Sequence, residues 1–383
     1  MRDLKKAATG NLHRLTNRAW RRIVNPRWAK QQEMTARKPR CQLETCNLGG
    51  LPPSALLRMK DEERGIQAAI VPAAGGELAS LQVRLAAGWT EVLHRALAYD
   101  TWPDVECDER APLLWPAVGR SFTPEQIAEW KTTGSVPAQN RYRASDEVYE
   151  IEVHGFARRL PWQLDAYGTS QQSAYVRCSA TASPETRKSY PFEFEITVTY
   201  KLENGELQIE YGVLAGRNKS PLPFSIGNHL AVRMPITDRG RFDLCTLRSP
   251  GSEIQLQNGL CLLSGERVTI DLSTPVSLDN KALLDTVLGG FPAGQVWVEL
   301  EDPAALRLRI SHDDVTREGK SLTADENMRF VFWGDPAVQY FCPEPWVGEP
   351  NSLNTGKGCV FLEPGERFLW DVRLTLQALS GQV

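Results

Sequence analysis

The strictest pattern in the chain is an alternation of side chains over residues 192–200. Aromatic or branched apolar residues occupy every even position, and glutamate or threonine occupies every odd position. Because successive side chains of a β-strand point to opposite faces, the pattern predicts a strand buried on one face only. Asn204-Gly205 then favours the positive φ angles of a type I′ turn, and alternation resumes over residues 207–213. The segment predicts an antiparallel hairpin, which restricts the chain to folds built on such sheets.

Further strands follow the same alternation, over residues 297–300, 306–310 and 368–376. One helix is predicted after Thr123, because Thr123 with Gln126 forms a capping-box pattern around a proline at the first helical position. No alternation of strands with helices and no internal repeat is present. We therefore expect a mostly β protein, a large antiparallel β-sandwich with few short helices.

The length of 383 residues with 42% hydrophobic content can fill one large domain. We expect a single domain over residues 41–383, preceded by a basic extension over residues 1–40. No apolar run approaches the roughly 18 residues of a membrane-spanning helix, and no secretory apolar segment is visible at the N-terminus. These features predict a cytoplasmic protein without a transmembrane segment. The eight cysteines are scattered without zinc-ligand spacing, so we expect reduced thiols and no metal site.

Charge is distributed unevenly. Residues 1–40 carry twelve basic and two acidic residues, whereas the remainder carries 32 basic and 45 acidic ones. The extension fits a targeting segment, a tether to RNA or a membrane surface, or a solvated and partly disordered arm. The acidic body has no basic stripe interleaved with aromatic residues, so nucleic acid is not expected as a partner.

Two of the five histidines fall in informative positions. His154 follows an alternating segment on the side of Glu150 and Glu152, and Gly155 comes next. This predicts a histidine that faces away from the core beside a close backbone approach, although a solvated surface histidine gives the same pattern. The other three, His13, His94 and His312, lack such neighbours, and His312 fits a hydrogen-bonded core or edge position.

His229 belongs to an alternating segment, residues 224–232. Its parity places it with serine, glycine and alanine, opposite a face of large apolar residues. A histidine among small residues has open space before it, as on the floor of a pocket. The alternative is a strand histidine whose small neighbours accommodate another layer.

Glu344 lies between Pro343 and Pro345 and is followed by Trp346. The prolines restrict the backbone, which favours a carboxylate held in one place, and the indole offers a flat surface for a sugar ring. A rigid exposed turn without a catalytic role is the alternative.

These segments resemble, in the same order, the signatures of the aldose 1-epimerase family and its galactose mutarotase-like fold. The resembling segments are Val-His-Gly-Phe-Ala-Arg at 153–158, Pro-Phe-Ser-Ile-Gly-Asn-His at 223–229 and Pro-Glu-Pro-Trp-Val-Gly at 343–348. Residues 110–120, ending in Gly-Arg, and the turn at 362–366 resemble further family segments. The similarity covers roughly residues 66–378 and excludes the basic extension.

The resemblance implies that Glu344 is a general base, that His229 is a general acid, and that His154 and Arg120 orient a sugar. Further candidates for substrate contact are Arg158, Phe156, Trp346 and Asn228. Two departures from the family pattern concern the substrate: Leu-Ala-Val follows the second histidine in place of proline and an aromatic residue, and the substrate-binding aspartate has only Asp279 and Asp285 as candidates.

The implied reaction interconverts the α and β anomers of an aldose by ring opening and reclosure, for which one acid and one base suffice and no cofactor is needed. The expected partner is a small-molecule sugar, and the oligomeric state is left open. Alternatives are a carbohydrate-binding protein on the same fold and an epimerase for hexose 6-phosphates, with Arg120, Arg158 and Arg159 available to bind phosphate. A glycoside hydrolase would ordinarily need two carboxylates, of which the sequence offers one.

Overall fold

Antiparallel strands make up most of the chain in the structure, a computed structural model that describes residues 41–46, 56–99, 109–321 and 327–379. The first fifteen strands are β1 (Cys41–Cys46), β2 (Leu56–Asp61), β3 (Ile66–Val71), β4 (Glu77–Leu85), β5 (Gly88–Glu91), β6 (Leu113–Leu114), β7 (Arg141–Ala144), β8 (Glu147–Glu150), β9 (Gln163–Thr169), β10 (Ser173–Thr181), β11 (Phe194–Glu203), β12 (Glu206–Ala215), β13 (Leu222–Phe224), β14 (Ile226–Asn228) and β15 (Val232–Arg233).

The remaining strands are β16 (Thr246–Arg248), β17 (Glu253–Gln257), β18 (Leu263–Thr269), β19 (Val276–Ser277), β20 (Thr286–Gly289), β21 (Trp297–Asp302), β22 (Leu306–Arg317), β23 (Lys320–Ser321), β24 (Met328–Asp335), β25 (Tyr340–Val347), β26 (Val360–Leu362) and β27 (Arg367–Ala378). The helices are α1 (Pro124–Thr133), α2 (Thr186–Ser189) and α3 (Ser352–Thr355), with short 3₁₀ turns at Ala157–Arg159, Phe242–Leu244 and Lys281–Leu283.

The predicted hairpin is confirmed. Strands β11 and β12 pair antiparallel from Glu203↔Glu206 outward, and Asn204 and Gly205 form the two-residue turn with φ angles of 54° and 78°. The predicted helix is also confirmed, since the Thr123 hydroxyl accepts the Gln126 N–H and the Gln126 side chain accepts the Thr123 N–H. In both cases a local chemical requirement sets the structure.

The strands form three larger sheets and two strand pairs, β13-β26 and β7-β8. The five-stranded sheet has the order β1-β2-β3-β4-β5, the ten-stranded sheet has the order β19-β16-β21-β22-β27-β12-β11-β10-β9 with β23 beside β22, and the eight-stranded sheet has the order β18-β17-β20-β24-β25-β14-β6 with β15 beside β25. Every ladder between the described strands is antiparallel. The predicted mostly β sandwich is therefore confirmed.

The main hydrophobic core lies between the ten-stranded and eight-stranded sheets. Phe224 of the β13-β26 pair also packs into this core, with its ring centroid 5.2 Å from that of Phe368 of β27. His312 of β22 is fully buried and meets Phe330 of β24 edge to face at 4.7 Å, so this histidine belongs to the core. Aromatic packing of this kind fixes one sheet against the other.

The ladder of β24 and β25 has one core face and one opposite face. Phe330 and Phe341 point into the main core. The register pairs Val331 with Glu344 and Trp333 with Cys342, and the alternation of side chains places these pairs on the opposite face. We call this opposite face the site face; it comprises Arg329, Val331 and Trp333 of β24 and Tyr340, Cys342, Glu344 and Trp346 of β25.

The predicted basic extension, residues 1–40, lies outside the described residues. Among the helices that the structure does describe, none has the length and apolar character needed to cross a membrane.

Candidate active site

Glu344, at the centre of the site face, forms a contact pair with His229. The distance from His229 Nε2 to Glu344 Oε1 is 3.3 Å, although 115 residues separate the two in sequence. Glu344 is 1% exposed and His229 is 5% exposed, so both are nearly covered by protein. A carboxylate and an imidazole at this distance can exchange protons with one small ligand group.

The second oxygen of Glu344 is held by Trp346, whose indole N–H donates to Oε2 at 3.1 Å. Glu344 lies within strand β25 and is buried, so the alternative of an exposed turn is wrong. Strand β24 pairs with all of β25, but on the other side β15 pairs only with residues 340–341 and β14 only with residues 346–347. The gap between β14 and β15 is where prolines at 343 and 345, which lack an N–H donor, are tolerated.

His229 occupies that gap. The predicted continuous strand over residues 224–232 is interrupted, because β14 ends at Asn228 and β15 begins at Val232. The backbone N–H of His229 donates to Pro112 O at 3.0 Å, which keeps this segment beside the sheet. The predicted faces hold despite the interruption, since Ile226, Leu230 and Val232 belong to the main core and His229 faces Glu344.

His154 lies in a turn, not at the end of a strand. Strand β8 ends at Glu150, and His154 has a φ of 64°, so the prediction of its orientation from strand parity was wrong in its premise. Gly155 follows with a φ of 68°, and a Cβ there would lie 2.2 Å from Trp115 O. Only glycine fits this approach, which directs the His154 ring towards the pair.

The three predicted catalytic side chains are adjacent. The His154 ring lies 5.6 Å from the His229 ring and 5.7 Å from the Trp346 ring, measured between centroids, in edge-to-face geometry. His154 is half-buried, so it lies closer to solvent than the covered pair. Protein therefore encloses Glu344 and His229 much more than the predicted open pocket implied.

His154 is held as a neutral ring. Its Nδ1 accepts the Gly119 N–H at 3.1 Å, which leaves the proton on Nε2. Desolvation lowers the pKa of His154 well below its usual range, and positive charge on His229, Arg158 and Arg120 lowers it further. His154 thus presents an N–H donor at neutral pH.

Arg158 and Arg120 have different surroundings. Arg158 is buried, donates to the carbonyls of Val153 and Gly155, and pairs with Glu152 at 3.3 Å, so it holds the turn that carries His154. Arg120 is half-buried, and its guanidinium has no hydrogen-bond or ion-pair partner among the described residues, although it is close enough to affect His154. Arg120 is the arginine available to a ligand here.

Three predicted substrate contacts have other positions. Phe156 packs into the core, edge to face with Trp115 at 5.8 Å. Asn228 is 2% exposed and donates to Ala111 O and Tyr211 Oη, both at 2.8 Å, because strand parity turns it away from His229. Trp346 is 3% exposed and orients Glu344 through its N–H, so its faces are not open for a sugar.

Sequence reasoning missed two glycines beside these residues. Gly119 supplies the N–H that fixes the His154 ring and has a φ of 64°. Gly227 leaves room for Trp346, since a Cβ there would lie 2.6 Å from the indole Cδ1. The small-residue face around His229 was the available signal for Gly227.

The two candidate aspartates are also separated. Asp279 follows β19, which belongs to the ten-stranded sheet, whereas Asp285 immediately precedes β20 of the eight-stranded sheet. Asp285 is exposed, and Gln257 Nε2 donates to its carbonyl at 3.2 Å. Of the two, only Asp285 adjoins a strand of the sheet that carries Glu344.

A cavity of about 420 Å³ adjoins the start of β25 and is lined by Glu91, Leu93, His94, Arg95, Ala96, Arg233, Val338 and Gln339. The His94 ring stacks on Tyr340, with centroids 4.5 Å apart. Tyr340 precedes Glu344 by four positions along β25. The cavity therefore lies towards the start of β25, away from His154, His229 and Glu344.

Comparisons with known proteins identify the family and the fold. Residues 136–375 match the family model described as aldose 1-epimerase. The chain is 24% identical to Protein LacX of Lactococcus lactis over 255 residues, which is 64% of this chain and 76% of LacX. A galactose mutarotase-like protein from Clostridium acetobutylicum superposes with a TM-score of 0.67 at 17% identity, covering 88% of this chain and 98% of that one. A galactose 1-epimerase from Lactobacillus acidophilus superposes with a TM-score of 0.64 at 11% identity, covering 89% and 99%. These structures share the fold.

Proposed function

The chain belongs to the aldose 1-epimerase family, and we propose that it is a sugar mutarotase, a cofactor-independent isomerase that interconverts the α and β anomers of an aldose. The observation that carries the proposal is the 3.3 Å contact between His229 Nε2 and Glu344 Oε1. The anomeric hydroxyl oxygen and the ring oxygen of an aldose are bonded to the same carbon. An acid and a base that act on both must therefore lie close together, as these two do.

Glu344 takes the proton from the anomeric hydroxyl, and His229 gives a proton to the ring oxygen. The bond from the anomeric carbon to the ring oxygen breaks as the carbonyl forms. Rotation about the adjacent carbon–carbon bond and reclosure on the other carbonyl face return both protons. Positioned proton transfer of this kind supplies about 10²- to 10⁴-fold in rate. The sugar is neither oxidised nor reduced in this reaction.

His154 and Arg120 orient the sugar. The neutral His154 ring donates through Nε2–H, because its Nδ1 accepts from Gly119. The Arg120 guanidinium, which is not engaged by another described residue, donates to sugar oxygens. Arg158 acts through the His154 turn and is a positioning residue.

The test is the rate of anomer equilibration of freshly dissolved aldoses, followed by polarimetry or NMR across neutral and phosphorylated sugars. Acceleration of at least one sugar beyond its spontaneous rate is expected. Binding without acceleration across the panel would instead identify a carbohydrate-binding protein.

A second candidate is an epimerase for a phosphorylated aldose. The observation that favours it is Arg120, a half-buried cation without a carboxylate partner among the described residues, which matches a phosphate oxygen as well as a hydroxyl. Preference for the phosphorylated member of a sugar pair, lost on Arg120→Gln, would select this candidate.

A further inference from the structure

We propose that Trp333 is the platform that binds the sugar ring next to Glu344 and so determines substrate preference. This inference rests on the proposed function and replaces Trp346, which is 3% exposed, as the stacking surface. Trp333 is 41% exposed. The sequence pattern did not identify it.

The register places Trp333 on the same face as the carboxylate. Trp333 pairs with Cys342, two positions before Glu344, while Glu344 itself pairs with Val331. Diagonal neighbours in an antiparallel ladder are roughly 7–8 Å apart, which is within reach of an indole. A sugar whose anomeric carbon lies at Glu344 would therefore have its ring beside Trp333.

The indole surface is available. No other aromatic ring or cation from the described residues packs on Trp333, and its exposure exceeds that of the other site-face aromatics, Tyr340 and Trp346. Single exposed apolar residues are ordinary on protein surfaces. Trp333 differs because it lies diagonally across the β24-β25 ladder from Glu344, a buried carboxylate that contacts His229.

Asp285, already a candidate for the substrate-binding aspartate of the family, lies near this platform. Strand β20 pairs Thr286 with Phe332 and Val287 with Val331. The ladder ends there, and Asp285, which has a φ of 52°, immediately precedes Thr286. Asp285 is exposed, and Gln257 reaches its Oδ1 at 3.4 Å. An exposed indole matches the apolar C–H face of a pyranose, and the charge of the nearby Asp285 favours an unphosphorylated hydroxyl over a phosphate at this end of the sugar.

Trp333→Ala should raise KM about 10-fold for the best sugar of the panel and change kcat less than about twofold, because stacking acts on bound substrate and transition state alike. Trp333→Phe should recover most of the affinity. The control is Tyr167→Ala, since Tyr167 is 53% exposed but lies on β9 of the ten-stranded sheet.

Tryptophan fluorescence separates this inference from the proposed function. A sugar-induced change in emission that is lost in Trp333→Phe, together with the KM effect, supports the platform. If the wild type binds sugar with this signal but catalyses no equilibration, the mutarotase proposal fails and the platform stands. If the wild type catalyses equilibration and Trp333→Ala keeps its KM and its emission change, the platform is overturned and the enzyme stands. Absence of both binding and turnover would overturn both.

Discussion

Replacing Glu344 by glutamine tests the base with little change in shape. The side chain keeps its volume, and an amide oxygen can still accept the Trp346 N–H that donates to Oε2 at 3.1 Å. The amide nitrogen takes the place of Oε1, which lies 3.3 Å from His229 Nε2. The substitution therefore removes a charge and a proton acceptor from a site that is 1% exposed.

The expected loss of turnover is about 10²- to 10⁴-fold, the usual contribution of a positioned base. At about 1.36 kcal/mol per tenfold, this range corresponds to about 2.7–5.4 kcal/mol in activation free energy. Sugar binding should weaken much less. Exchanging a charge-assisted hydrogen bond for a neutral one costs about 1 kcal/mol, or roughly fivefold in Kd.

Stopped-flow polarimetry would measure turnover, and calorimetric titration of the same preparations would measure binding. The matched control is Glu299→Gln, because Glu299 is 8% exposed within β21 and pairs with Arg248 on the ten-stranded sheet. This control should keep normal turnover. If Glu344→Gln retained near-normal turnover, the mutarotase mechanism would be refuted and the carbohydrate-binding alternative adopted.

Other perturbations address the turn, the core and the extension. Gly155→Ala should destabilise the protein by about 2–3 kcal/mol more than Gly134→Ala, as measured by urea denaturation. Both glycines have a positive φ, but of the two only Gly155 would bring a Cβ against a backbone oxygen. Equal losses of stability in the two variants would contradict the turn geometry. Burial lowers the pKa of His312 from 6.5 to about 3. Its contribution to stability should be complete above pH 6.5 and fall by about 1.4 kcal/mol per unit below it, because only the unfolded chain takes up that proton, and pH-dependent denaturation of His312→Leu should lack this component. Deleting residues 1–40 should leave folding and turnover intact, whereas loss of soluble protein would show that the extension packs on the domain.

The sequence by itself determined the features that depend on neighbours along the chain. The alternation over residues 192–200 and the Asn204-Gly205 pair set the β11-β12 hairpin, since side-chain period and turn geometry are local properties. Thr123 and Gln126 set the start of α1 in the same way. Alternation also predicted the faces of residues 224–232, even though the strand is interrupted there.

Only the tertiary structure decided which of these side chains meet and which remain open. Phe156 and Trp346 are aromatic residues of the kind that stack on sugars, yet segments distant in sequence cover both. The indole that is exposed on the site face is that of Trp333. His154 is oriented by Gly119 and by the approach of Gly155 to Trp115, which no strand period encodes. Burial and orientation depend on pairing between segments far apart in sequence, and a pattern read along one segment holds no information about the other.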